Sequence, residues 1–362
     1  MRLKYLLFFV LLASTLMLTG LSCKATPKDG GVYKSADQAE SWTQKVFIQK
    51  VKNKTYTISE YDINCFKFDP LDVNILYAGT KSNGLIITKD AGETWQPTGL
   101  AAGNISSFDI DPSNNLFMYA TKDSTVLRSK DGGTTWETIH TDSQKGTFVK
   151  ILVDTYDPTR LYVASTSGLL YKSIDQGNNW YIKFQSDEAI SNFYLRHTDT
   201  RIIYILSAKG DVQKSVTGGE QNDWQTIFTK EHKEKWPKAA KAKNFFIIDS
   251  EPANMYMTAL QGMLVSSDEG ANWRVIDTLI PSESSDNEKI FDLKKDPNDP
   301  NIYYFYLKNS NKIYKSTDGG KEWHMIENYP TTKYINTFII NPNDTNIIYT
   351  GTLSPPKKKG LF

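Results

Sequence analysis

Short apolar runs recur along the chain, each cut off by a cluster of Asp, Asn, Pro or Gly. Phe66-Lys67-Phe68 runs into Asp69-Pro70, and Ile75-Leu76-Tyr77-Ala78-Gly79 follows. The same order returns far away, in Ile339-Ile340-Asn341-Pro342 and then Ile347-Ile348-Tyr349-Thr350-Gly351. Related units place Tyr119, Tyr162, Tyr204, Tyr256 and Tyr303 at the same point. Alternating or continuous apolar patterns of this length, bounded by turn residues, predict a strand, a tight turn and a second strand.

A second pattern has the same period. All but one of the 8 tryptophans close the motif Ser/Thr-x-Asp-x-Gly-x-x-Trp. Its carboxylates are Asp37, Asp90, Asp131, Asp175, Asp268 and Asp318, and its indoles are Trp42, Trp95, Trp136, Trp180, Trp224, Trp273 and Trp323. Two copies are worn: Ala39 stands where Gly is expected before Trp42, and the copy ending at Trp224 has Thr217 for Asp plus two extra residues. Asp side chains bond backbone N–H groups two residues on, and Gly supplies positive φ, so the motif spells a turn between strands. The indole is expected to cover the space between units while its N–H finds an acceptor. These residues are therefore read as holding the fold and doing no chemistry.

Repetition at about 40 to 50 residues marks a repeat architecture. Each unit supplies strands A, B (carrying the Tyr), C (ending in Ser/Thr) and D (starting at Trp). Repeated radially, such four-stranded units form an all-β fold, a seven-bladed β-propeller of antiparallel blades. The chain opens with a C-D half over 31–51 and ends with an A-B half over 336–352. Those halves are expected to complete one blade and close the ring, giving a propeller over 31–362. The A-B turns and tryptophan motifs then share a bottom face, and the B-C and D-A loops share a top face. The longest loops, 45–64, 230–244 and 279–289, all join D to the next A, and loops that grow on one face of a repeat protein mark its binding face. Tyr56, Tyr61, Asp123, Asp187, Trp236, Asp286 and Tyr334 are the resulting top-face candidates.

The first residues follow different rules. Two basic residues in 1–4 precede an almost continuously apolar stretch and then Thr19-Gly20-Leu21-Ser22-Cys23, which reads as an export signal over 1–22. Ser22-Cys23 resembles the lipobox of bacterial lipoproteins, and the resemblance implies a lipid on Cys23, a short tether over 23–30 and a membrane-anchored protein of the cell envelope facing periplasm or exterior. A cleaved, unlipidated signal is the alternative. Of the 2 cysteines, Cys65 is then alone in an apolar strand, where it reads as a small hydrophobe.

With 42 Lys and Arg against 41 Asp and Glu, the chain lacks the basic balance of a nucleic-acid binder. One segment, 230–243, is rich in lysine and holds Trp236. It reads either as a solvated, partly helical insertion or as a loop in which Trp236 anchors an acidic partner. His140, His197, His232 and His324 show no metal-ligand spacing. No phosphate loop is present, and no metal or cofactor is expected.

The tryptophan motif resembles the Asp-box, or BNR repeat, of sialidases, xyloglucan-cleaving endoglucanases, sortilin/Vps10 receptors and the Ycf48-like photosystem II assembly factors. The resemblance covers nearly the whole mature chain and implies the propeller. Sialidases hold their substrate carboxylate with three arginines. Outside the signal only Arg128, Arg160, Arg196, Arg201 and Arg274 exist, and they cannot be assembled into one cluster. A hydrolase of the xyloglucanase type needs two carboxylates about 5 to 9.5 Å apart. Glu60, Asp62, Asp123, Asp187, Glu188, Asp211 and Asp286 could supply them, although those enzymes use two tandem propellers. Sortilin-like receptors add cysteine-rich modules that this chain lacks, and Ycf48-like factors match it in having a single propeller. The expectation is a non-enzymatic propeller that binds a protein or glycan through its top loops; a glycoside hydrolase using two top-face carboxylates is the alternative.

Overall fold

The computed structural model describes residues 28–220, 222–236, 244–248, 254–259, 262–277 and 289–356. Seven four-stranded antiparallel sheets stand as blades around one axis. Their inner, A strands are Ile63–Phe68, Ile105–Ile110, Phe148–Val153, Ile190–Leu195, Phe245–Ile248, Lys289–Lys295 and Tyr334–Ile340, in blades 1 to 7. Each A strand touches the A strands of the blades before and after it, and the seventh touches the first. Blade 7 joins the chain ends: Tyr334–Ile340 and Ile348–Leu353 come from one end, Val32–Ser35 and Thr43–Gln44 from the other. The D strand of this blade stops at Gln44. The apolar run Phe47–Val51, expected to continue it, instead pairs with Lys54–Thr57 in a separate hairpin on the way to blade 1.

One apolar cluster fills each gap between blades. Val32, Ile63, Leu76 and Tyr349 lie between blades 7 and 1, and Tyr119, Val126, Phe148 and Leu161 between 2 and 3. Every one of the seven motif tryptophans packs on the cluster facing the preceding blade. The indole N–H then bonds a nearby carbonyl. Trp136, Trp180, Trp273 and Trp323 donate to the glycine three residues earlier at 3.0 to 3.1 Å, while Trp95 and Trp224 reach Lys45 and Lys183 of the previous blade. Trp42, in a worn copy, leaves its buried N–H without a partner.

The motif's polar atoms close the C-D turn as its spelling demands. Ser129 Oγ donates to Asp131 Oδ1 (2.8 Å) and accepts from Gly133 N, while Asp131 also takes the N–H and hydroxyl of Thr135. Gly132 and Gly133 adopt φ of 67° and 87°, the left-handed region that glycine tolerates best. In the worn blade 4 copy, the missing carboxylate is replaced by Asp223. Its Oδ2 accepts from Ser215 Oγ (2.7 Å), Val216 N (2.6 Å), Thr217 N (3.0 Å) and Thr217 Oγ1 (2.9 Å).

Strand register corrects one assignment. In every blade the motif's Ser or Thr faces the residue just before the repeated tyrosine, as Leu161 faces Ser173 ahead of Tyr162. In blade 6 Ser316 faces Tyr303, so the equivalent tyrosine is Tyr304, not Tyr303. Tyr304 lies beneath the Lys315 ammonium at 5.7 Å, as Tyr349 lies beneath Lys34 and Tyr162 beneath Lys172. Those lysines reach the next blade's turn: Lys34 donates to Ala91 O, Lys172 to Gly218 O and Lys315 to Gln38 O. Arg128 does the same at Gln176 O. The bottom face is thus sewn blade to blade.

Candidate partner-binding face

The top face is built where A strands begin and B-C turns end. There the blades are tied by side chains to the backbone of the next A strand: Asn64 donates to Ile105 O, Ser106 to Phe148 O and Asn336 to Ile63 O. This rim is a rigid base for the loops above it. One loop is fixed from within by Asp142, a buried carboxylate that accepts from Ser165 Oγ, Ser167 Oγ, Tyr171 Oη and Gln144 N. Burial alone would raise its pKa, and those hydrogen bonds outweigh it, leaving the carboxyl below its ordinary value. Beside it, His140 stacks on Trp180 at 5.0 Å and is pushed by burial toward the neutral form.

The candidate residues fall into separate sectors of this face. Tyr56 sits in the hairpin strand Lys54–Thr57, 38 % exposed, with Lys54 Nζ 4.9 Å from its ring. Tyr61 is half-buried against the core between blades 7 and 1, and Tyr334 opens the A strand of blade 7 opposite Leu353. Neighbouring segments knit these into one sector. Asp29 takes the hydroxyls of Tyr33, Thr331 and Thr332, Lys333 reaches Ser59 O, and Ser354 N donates to Asp62. The Asp29 carboxyl is held at about 2: burial opposes this, and the bonds from Thr331, Tyr33 and Thr332 prevail. Asp123 and Asp187 stand apart from that sector, both exposed. Asp123 occupies the blade 2 B-C turn at φ 52°, and its carbonyl receives Phe148 N. Asp187 lies between blades 3 and 4, next to Glu188 and its partner Lys209. Asp286 lies outside the described residues.

Trp236 is placed differently from an exposed anchor. The insertion starts with a helical turn, α1 (Lys230–Lys235), fastened at the top by Lys233 to Asp211 at 2.6 Å. Phe228, His232 and Trp236 then stack in a column, and Trp236 faces Trp273, Ala271 and Asn272 across a cavity of about 220 Å³. It therefore lines the groove between blades 4 and 5, facing the tryptophan motif of blade 5.

Four of the candidate acids are held by neighbours. Glu60 pairs with Lys28, Asp62 binds Ser354 N, Glu188 pairs with Lys209 and Asp211 with Lys233. Surroundings hold the carboxyls of Asp29, Asp90, Glu137, Asp142 and Asp199 below their ordinary values. Among the described residues, no three His, Cys, Asp or Glu side chains gather as a metal site. Cys65 packs against the core between blades 1 and 2, where burial pushes its thiol up to about 12. Gly79 makes room for it, since a Cβ there would stand 2.6 Å from Sγ.

With this geometry in hand, comparison with family models matches residues 57–348 to the photosynthesis system II assembly factor Ycf48. The chain belongs to the Ycf48 family. Among solved structures, Ycf48 bound to a D1 peptide is similar at 17% identity and a TM-score of 0.60, covering 81% of this chain and 94% of that one. Ycf48 from Cyanidioschyzon merolae gives 16% identity, a TM-score of 0.60 and coverages of 81% and 96%. The GH74 xyloglucanase of Xanthomonas campestris gives 16%, 0.63, and coverages of 81% and 51%. At these identities the likeness is one of fold, and the chain spans about half of the xyloglucanase. A comparison with curated proteins returned no match.

Proposed function

We propose that this Ycf48-family propeller is a non-enzymatic assembly or adaptor protein that holds a polypeptide partner on its top face. The observation that carries the reading is the family match over most of the ring. A similar structure with a bound peptide, matched over 94% of its chain, supports it, as do top-face carboxylates engaged in ion pairs. The sector around Tyr56, Tyr61 and Tyr334 is the proposed contact, with Asp123 and Asp187 as separate contacts elsewhere on the same face and a glycan as the other ligand class. The Cys23 motif supports an envelope location with a lipid anchor to the membrane.

A pull-down from detergent-solubilised envelope tests this, comparing wild type with a Tyr56→Ala, Asp187→Ala, Tyr334→Ala triple variant. Loss of the same polypeptide from the variant is expected, with no reducing sugar released from xyloglucan by either protein. Equal capture by both, or sugar release by the wild type alone, would overturn the reading. For the anchor, Cys23→Ser should move the protein from the membrane to the soluble fraction; unchanged fractionation would remove the lipid.

A further inference from the structure

The ring axis carries a group of charges that the partner-binding reading does not use. Lys67 of blade 1 meets Asp109 of blade 2 at 2.6 Å, and Asp109, 5 % exposed, also takes Val153 N of blade 3 and Ile110 N. Across the axis, Lys294 of blade 6 pairs with Asp292 at 3.1 Å. Both carboxylates are therefore matched by a cation. Among the described residues, Lys150 of blade 3 is the remaining charge there. Its ammonium donates to Phe193 O at 2.9 Å and lies 4.0 Å from the Tyr194 ring centre, with no carboxylate in ion-pair range among the described residues. Three ammonium groups thus face two carboxylates. A half-buried cation without a counter-charge is costly, because a carbonyl and a ring face replace only part of its hydration.

Tyr194 adds a donor to this arrangement. Its hydroxyl accepts from Asn192 Nδ2 at 2.9 Å, which leaves its own proton for another acceptor. Lys67 and Lys294 are 44% and 42% exposed, so water reaches the axis beside them. We infer that the axis is a binding site for a small carboxylate, which would pair with the Lys150 ammonium and take the Tyr194 proton. The inference is independent of the partner on the top face.

The electrostatics point the same way. Burial, the first influence, pushes the Lys150 ammonium down to about 7; Lys294 adds repulsion, Asp109 and Asp292 oppose it, and Lys67 repels again. Tyr194 and Tyr306 also feel Asp292. A bound anion favours the charged amine, so binding takes up a proton and should weaken by about fivefold from pH 7 to pH 8.

The test is a titration with acetate, against chloride at equal ionic strength, on wild type and Lys150→Met. Acetate should raise the wild-type melting temperature at pH 6, less so at pH 8, and leave the variant unmoved. If the variant does not fold, amine acetylation read by mass spectrometry on the wild type replaces it. Acetate at ten times its dissociation constant should slow modification of Lys150 by about tenfold, with exposed Lys50 unaffected. A hexaglutamate peptide in a parallel arm distinguishes the source of the carboxylate: protection by acetate supports a free ligand, and protection by the peptide alone a carboxylate borne by a polypeptide. No protection by either, or equal acetate stabilisation of Lys150→Met, would overturn the site.

Discussion

Asp223→Ala should open the blade 4 turn and lower the stability of the ring. The carboxylate stands outside the motif's spacing yet accepts four hydrogen bonds, from Ser215 Oγ, Val216 N, Thr217 N and Thr217 Oγ1, at 2.6 to 3.0 Å. Two of those donors are backbone N–H groups of a tight turn, the arrangement of a helix N-cap, whose loss costs about 0.5–2 kcal/mol. Bonds to a charged acceptor are worth somewhat more, and water compensates partly at this half-buried position, so about 2 kcal/mol is expected. For a domain of about 330 residues the unfolding entropy is about 0.7 kcal/mol/K, which converts the loss to a drop of about 3 °C. Calorimetry on Asp223→Ala, Asp223→Asn and Asp90→Ala checks this. Asn keeps an acceptor oxygen without the charge and should fall between wild type and Ala. Asp90 holds the matching turn of blade 1 and provides the comparison. If Asp223→Ala melts with the wild type while Asp90→Ala does not, the substitution of one carboxylate for the other is wrong.

Trp95→Ala removes an indole that is 1% exposed, and should cost about 3–5 kcal/mol in an equilibrium denaturation curve. Trp42→Phe should be near neutral or stabilising, because it deletes a buried N–H without a partner, whereas Trp136→Phe forfeits the bond to Gly133 O and should lose about 1 kcal/mol. Acid should unfold the ring through its turns. Asp37, Asp90, Asp131, Asp175, Asp223, Asp268 and Asp318 are all held below their ordinary range, Asp131 at about 2 by bonds from Thr135 and Ser129. Groups depressed in the folded state stabilise it above the unfolded pKa of about 4, and that stability is lost as pH falls from there toward 2. A melting temperature flat between pH 5 and 2 would contradict it. Deleting residues 336–362 should abolish cooperative melting, since both inner strands of blade 7 go with it.

The blades were legible in the sequence because their signal is local. A hydroxyl, a carboxylate and a glycine at fixed spacing close a turn without help from the rest of the chain, and the tryptophan that follows has one gap to fill. Local patterns failed where two solutions fit. Consecutive Tyr303 and Tyr304 satisfy the strand equally, and only the pairing of Tyr303 with Ser316 separates them. Phe47–Val51 has the composition of a D strand, and its pairing with Lys54–Thr57 takes it out of the blade. Asp223 is not legible from the motif, because it stands just before Trp224, six residues past the carboxylate position that Thr217 occupies. The candidate site was less legible, since loops have no period. Trp236 looks like an anchor beside its lysines; its column with His232 is local, one helical turn away, but the face of Trp273 that it meets is distant in sequence. The axial charges were hidden for the same reason: Lys67, Asp109, Lys150 and Asp292 come from four blades, each an ordinary polar residue in an alternating strand.

The claim that function faces away from the tryptophan motifs is tested most directly by photo-crosslinking. A benzophenone amino acid would be placed at Tyr56 or Asp187 on the top, and at Tyr156 or Val216 on the bottom, all exposed. In cells, both top positions should give an adduct to the same polypeptide and both bottom positions none. A common adduct confined to the bottom pair would contradict the account.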